Sequence, residues 1–377
     1  MLLQLYQFRQ ILHQYPELSG QEQQTVQRII EFIKPYQPTQ IIEKIGGHGV
    51  AVVYEFGKTG TTVAIRCELD ALPIQEPNDI AYCSKNDNIA HKCGHDGHMT
   101  IVAGLSYWLA QQNFQDGKVV LLFQPAEETG KGGWAVLQDE RFQALNIDYI
   151  FALHNLPGYP LHQIISKPYA FSAAVNSMII KLKGIKTHAS TPEKGINPAL
   201  AVAQILQQFH ALNQPDIHSN EFALITPIHI SLGEKAYGIS PDNAELHFTL
   251  RTWTEENRQK LEGNLIQITQ AIATQFHLNY TIKWLEYFPA TYNDPSCYNL
   301  IKKVVNTQQF TFQEKATPLR FGEDFGWLSQ RYKGAMFGLG AGEQCKALHH
   351  PEYDFPDELI VTGMKLFRGL ICELLIE

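Results

Sequence analysis

The sequence predicts an α/β protein in which a mixed-sheet α/β/α domain is interrupted by an inserted βαββαβ domain. Short apolar runs at 61–66, 118–123, 148–153 and 335–339 alternate with helical periodicity, as in a sheet covered by helices. Three of these runs lead directly into carboxylates or a histidine, which is how strands of such a sheet present chemistry. From about 170 to 287 the pattern changes to clean alternation in the order β-α-β-β-α-β.

Residues 1–14 mix Leu2, Leu5, Tyr6, Phe8, Ile11 and Leu12 with Gln, Arg and His. This is an amphipathic helix and lacks the long apolar stretch of a signal peptide. A turn at 15–20 precedes a second helix, with Val26, Ile29, Ile30 and Ile33 on one face and Pro35 at its end. Runs 50–56 and 61–66 flank Gly57-Lys58-Thr59-Gly60, which predicts a hairpin. The second run enters Glu68 and Asp70, and a polar loop follows at 73–88. Ile101, Val102, Leu105, Trp108 and Leu109 mark a buried helix. The strand at 118–123 runs into Gln124-Pro125-Ala126-Glu127-Glu128, Gly132-Gly133 opens another helix, and the strand at 148–153 ends in His154-Asn155.

In the insertion, 174–183, 222–232, 244–253 and 278–287 read as strands, with helices at 196–212 and 255–276. Thr254 is the expected N-cap of the second helix. Helices at 296–306 and 356–375 and a strand at 335–339 complete the first domain. The expected boundaries are 1–169 with 288–377 for the first domain and 170–287 for the insertion.

Of 377 residues, 44% are hydrophobic and 18% charged, with a formal net charge of -8. No Lys/Arg run is present, which argues against nucleic acid or an anionic membrane as partner. No apolar run approaches the ~20 residues of a membrane helix. Six cysteines (Cys67, Cys83, Cys93, Cys297, Cys345, Cys372) show no paired spacing and read as reduced thiols of a cytoplasmic protein.

The chemistry concentrates in residues 90–100, where His91, Cys93, His95, Asp96 and His98 are interleaved with Gly94 and Gly97. Thiolate, imidazole and carboxylate are the ligands of a zinc-like ion. Glu68/Asp70, Glu127/Glu128 and His154 follow three strands and would meet at one sheet edge. The adjacent Glu127 and Glu128 can divide labour, one binding metal and the other taking a proton from water. One histidine of His349-His350 can close the site from the C-terminal segment. His188, at a strand exit in the insertion, is a candidate oxyanion donor. Cys93 with a histidine also suits a cysteine-nucleophile amidase.

Arg66-Cys67-Glu68-Leu69-Asp70-Ala71-Leu72-Pro73, His91-Lys92-Cys93-Gly94-His95-Asp96-Gly97-His98, Gln124-Pro125-Ala126-Glu127-Glu128, His154-Asn155, Gly322-Glu323-Asp324-Phe325 and Leu348-His349-His350-Pro351 occur in this order. Together they resemble the amidohydrolase branch of the metallopeptidase family that includes carboxypeptidase G and aminoacylase. That branch holds hippurate hydrolases, auxin-conjugate hydrolases and N-acyl-amino-acid deacylases. The resemblance implies a catalytic domain, an inserted lid domain and two divalent metal ions, zinc or manganese, with cobalt or nickel as alternatives. It places the metal ligands on Cys93, His95, Glu128, His154 and His349, the general base on Glu127 and the carbonyl-contacting lid histidine on His188. Asp70, and with it Glu68, falls in the shell behind the metals, and no organic cofactor site is implied. The implied reaction is hydrolysis of the amide of an N-acyl amino acid by a metal-bridging hydroxide, releasing a carboxylic acid and a free amino acid. A homodimer through the lid domain is also implied. A dipeptidase or aminopeptidase of the same chemistry, and a non-catalytic binding protein on the same scaffold, are the alternatives. This chain departs from the pattern at Cys67 and Glu68, where Ala and Asp are usual, and at Gly238, where an Asn is common. It departs again at His350, which stands where a Ser often precedes the proline.

Overall fold

The computed structural model describes residues 1–77 and 80–375. The expected loop at 73–88 and the expected first domain therefore include positions, 78–79 and 376–377, outside the described residues. The chain divides into two compact units. One comprises Met1–Phe171, Thr291–Ala316 and Asp324–Glu377; the other comprises Ser172–Ala290 and Thr317–Glu323.

The first unit is built on an eight-stranded mixed sheet. Its strand order is Gln40–Ile45, Gly49–Glu55, Lys118–Gln124, Thr62–Glu68, Tyr149–Leu156, Lys333–Gly340, Ile164–Ser166 and Phe312–Glu314. Thr62–Glu68 runs parallel to both Lys118–Gln124 and Tyr149–Leu156, and the latter runs parallel to Lys333–Gly340. These four strands therefore end at one edge, where Glu68 lies beside Gln124 and His154 beside Gly338. His154 and Asn155 come just before Leu156, the last residue of their strand, and are still within the ladder.

The hairpin expected across 57–60 does not form. Lys118–Gln124 lies between the two strands, antiparallel to Gly49–Glu55 and parallel to Thr62–Glu68. Thr62–Glu68 is buried throughout, and Gly49–Glu55 is buried in all but its last residue. Strands buried to this degree need partners on both edges, and the apolar run at 118–124 supplies one to each. Gly49–Glu55 turns back instead on Gln40–Ile45, a strand whose Gln-Ile-Ile-Glu-Lys-Ile sequence does not alternate.

The helix His95–Leu109 is buried at every residue except Tyr107. It packs with Leu2–Gln14, Leu359–Leu374 and the sheet in one hydrophobic core. Gly94 precedes it with φ +95°, and a Cβ there would meet the Asn155 side chain at 2.6 Å. Only glycine suits both the backbone and the space.

In the second unit Ala223–Leu232, Asn243–Thr252, Ala174–Lys183 and Asn279–Phe288 form an antiparallel sheet in that order. With helices Ala199–Ala211 and Glu255–Gln275 the chain order is β-α-β-β-α-β. Thr254 caps the second helix by accepting from the Asn257 N–H. Among the described residues no helix is long and apolar enough to cross a membrane.

The N-terminal helix is pinned by charge. Arg9 and His13, one turn apart, are fully buried. Arg9 donates to Asp96 at 2.9 Å and Asp354 at 3.0 Å and pairs with Asp357. His13 bonds Asp96 at 2.8 Å and Glu76 at 3.0 Å. Burial opposes the charged ring, but Asp96 and Glu76 outweigh it and push the His13 pKa up to about 9. A raised folded-state pKa gives stability that is complete below the unfolded value near 6.5 and lost as pH rises through about 9. The melting temperature should therefore fall between pH 7 and pH 9.5, and His13→Gln should flatten that fall. An equal slope in the variant would contradict the assignment.

Candidate metal centre

Cys93 ends the loop before Gly94, and His95 is the first residue of the helix behind it. Glu127 and Glu128 follow Lys118–Gln124 in a turn, His154 comes from Tyr149–Leu156, and His349 lies in the C-terminal segment. The structure brings these residues together. Donor atoms of Cys93, His95 and His154 lie within 4.8 Å of one another, as do those of Cys93, Glu128 and His349, and those of His95, Glu127 and Glu128.

The hydrogen bonds fix the histidine tautomers. His95 Nδ1 lies 2.8 Å from the Asp70 backbone carbonyl, which only accepts, so Nδ1 carries the proton. In the neutral ring His95 Nε2 then holds a lone pair. It is buried without a hydrogen-bond partner and lies 4.0 Å from Glu127 Oε2 and 3.9 Å from Glu128 Oε1. His154 repeats the pattern. Its Nδ1 donates to the Asn155 carbonyl at 2.9 Å, and its Nε2 lies 3.5 Å from Cys93 Sγ. Backbone carbonyls on the far nitrogen are the arrangement that orients metal-binding imidazoles. His349 Nε2 lies 3.8 Å from Glu128 Oε1.

In that neutral form the lone pair and the two carboxylates repel one another, and a cation between them would relieve the repulsion. The donor set thus fits a divalent ion. Burial and the neighbouring Glu128, Glu127 and Glu68 push the Cys93 thiol pKa well up. Burial and then His98 push His154 down to about 3, and burial and then His95 lower His349. Both imidazoles are thereby kept in the neutral, ligating form.

Asp70 organises the carboxylate turn. Its side chain accepts the N–H of Glu127 at 3.1 Å, the N–H of Glu128 at 3.0 Å and the Ser19 hydroxyl at 2.6 Å. The Asp324 N–H approaches Glu127 Oε1 at 3.4 Å. Asp324 itself is held by Arg66 at 2.7 Å and by the Gly133 N–H at 2.7 Å.

Glu68 faces Arg66 and His98. It pairs with the guanidinium and bonds His98 Nδ1 at 2.7 Å, while His98 Nε2 contacts the Asn155 amide. Burial alone would raise the Glu68 pKa, but Arg66 and then His98 hold it well below the usual carboxylate range. His98 is occupied on both nitrogens. His350 is exposed, and its Nδ1 accepts the Glu352 N–H at 3.1 Å.

His188 belongs to the second unit. It is exposed on a short ribbon and pairs with Ile239, beside Gly238. Its Nδ1 accepts the Ser190 N–H at 3.0 Å, so the ring proton sits on Nε2. A Cβ on Gly238 would meet nothing within 4 Å. Sequence reasoning missed Arg9, His13, Glu76 and Lys92, a buried ionic layer behind the metal loop. The signal for two of them was an arginine and a histidine four residues apart, both facing the buried helix.

Residues 64–373 match the peptidase family M20/M25/M40. The chain is 30% identical over 363 residues to N-acetyl-L-cysteine deacetylase of Bacillus subtilis, covering 96% of this chain and 85% of that protein. It is 29% identical to hippurate hydrolase of Campylobacter jejuni, covering 96% and 94%. The crystal structure of the Bacillus subtilis YXEP protein, described as a dinuclear metal-binding peptidase of family M20, superposes with a TM-score of 0.84 at 27% identity, covering 98% and 96%. The motifs, the mixed sheet and this match over most of the chain agree: the protein belongs to peptidase family M20/M25/M40.

Proposed function

We propose that this protein is a metal-dependent hydrolase of N-acyl amino acids, releasing a carboxylic acid and a free amino acid. The observation that carries the reading is the buried His95 Nε2 lone pair set against Glu127 and Glu128. Relatives named for deacetylating N-acetyl-L-cysteine and for hydrolysing hippurate support the substrate class.

Cys93, His95, Glu128, His154 and His349 would hold two divalent ions; the thiol favours zinc, and the carboxylate keeps manganese in range. When bound, the ions supply Lewis acidity that activates water and polarises the scissile carbonyl. Glu127 takes the proton of the attacking water and returns it to the leaving amine. Asp70 and the Asp324 N–H orient it for both transfers. His188 offers its Nε2–H to the developing oxyanion. The six free cysteines suit a reducing, cytoplasmic setting.

The lid sheet leaves Ala223–Leu232 on its edge, with Ile228, Ile230 and Leu232 exposed. An apolar edge strand pairs readily, and a second copy of this chain is the proposed partner. Light scattering should show a dimer, and Ile230→Lys should shift it to monomer. A monomeric wild type would contradict this.

Release of free amino acid from N-acetyl, N-benzoyl and indole-acetyl substrates should be abolished by chelation and restored by metal. Metal-free turnover would instead favour Cys93 as nucleophile. Glu127→Gln should keep its metal content and lose about 10²–10⁴-fold in kcat. Activity near wild type would remove Glu127 as base. His188→Ala should lower kcat by about 10²–10³-fold with little change in KM. An unchanged kcat would remove His188 as oxyanion donor.

A further inference from the structure

We infer that Lys92 is a positioning residue that sets the His349 side of the metal site; the inference rests on His349 being a metal ligand. Lys92 stands between His91 and Cys93 and is fully buried. A lysine buried to this degree is retained only with partners for its charge. Its Nζ pairs with Glu76 and donates to the Tyr353 carbonyl at 2.8 Å. Its own backbone carbonyl accepts the His349 N–H at 2.7 Å. One residue thus grips both ends of the 349–353 segment, the first by backbone and the second by side chain.

The grip matters because His349 is otherwise weakly held. Its φ of +65° lies in the left-handed region, which a residue with a Cβ adopts less readily than glycine. Its side chain is 52% exposed, so packing does not enforce it. Lys92 is itself fixed from behind. Glu76 accepts from His13 Nε2 at 3.0 Å and from the Ser84 N–H at 2.7 Å, which anchors the carboxylate that holds Nζ. Tyr353 is buried, and its hydroxyl contacts the Asn155 amide beside His154.

His95 and His154 do not depend on this grip, since His95 is oriented by the Asp70 carbonyl and His154 by the Asn155 carbonyl. Loss of the Lys92 side chain therefore loosens the His349 donor of the Cys93–Glu128–His349 group and leaves His95 and His154 in place.

The test is zinc titration of the full-length metal-free protein against a chromogenic chelator, with metal content after gel filtration. Lys92→Met is compared with wild type, and His349→Ala sets the reference. Wild type should hold two zinc ions tightly. His349→Ala and Lys92→Met should each hold one tightly, with the second weakened at least tenfold, and excess zinc should restore Lys92→Met activity but not that of His349→Ala. Two tight ions in Lys92→Met beside one in His349→Ala would overturn the positioning role alone. Two tight ions in His349→Ala would overturn the ligand assignment and the inference with it. Equal weakening of both ions in Lys92→Met would mark a general structural defect and also overturn it. If Lys92→Met does not fold, Glu76→Gln decides, because it keeps the shape but removes the charge opposite Nζ and leaves one acceptor oxygen in place of two. It should weaken the second ion alone, and unchanged affinity would refute the proposal.

Discussion

A buried imidazole lone pair aimed at two carboxylates is the constraint on which the rest of this structure turns. Among the described residues His95 Nε2 has no hydrogen-bond partner, and Glu127 and Glu128 approach it to about 4 Å. With the ring neutral, lone pair and negative charge repel one another there, and a cation between them would relieve the repulsion. The surrounding architecture reads as the means of holding the repulsive set together until the cation arrives.

His95, His154, His349 and the two adjacent glutamates are each pinned from behind. The Asp70 and Asn155 carbonyls fix two imidazoles, the Asp70 carboxylate fixes the Glu127-Glu128 turn, and Lys92 holds the His349 backbone. The parallel centre of the sheet delivers three of these elements to one edge, and the helix His95–Leu109 provides a buried base. Behind the metal loop, Arg9, His13 and Lys92 alternate with Asp96, Glu76 and Asp354, so that the buried charges are matched.

Much of this was legible in the sequence. Cys93 and His95 announce themselves by ligand chemistry beside glycines, and Glu127, Glu128 and His154 by their place at the ends of apolar runs. The β-α-β-β-α-β insertion was legible because its strands have one solvated face and alternate. The sheet order was not, because Gly49–Glu55 and Thr62–Glu68 are buried, and a buried apolar run carries no mark of its neighbour. Glu68 and His98 have ligand chemistry yet spend it on each other and on Arg66 and Asn155, a fact of three-dimensional placement alone. Lys92 was hidden for the opposite reason. A lysine in a polar loop reads as solvated, and only the arrival of Glu76 and Tyr353 from distant positions explains its burial.

The most direct test is a crystal structure of the protein purified without chelator, with anomalous diffraction recorded above and below the absorption edge of the metal found in it. Two anomalous peaks per chain are expected within coordination distance of the Cys93, His95, Glu128, His154 and His349 donors, with a sulfur near 2.3 Å if the metal is zinc. A pocket without an anomalous peak, in protein that hydrolyses N-acyl amino acids, would contradict it.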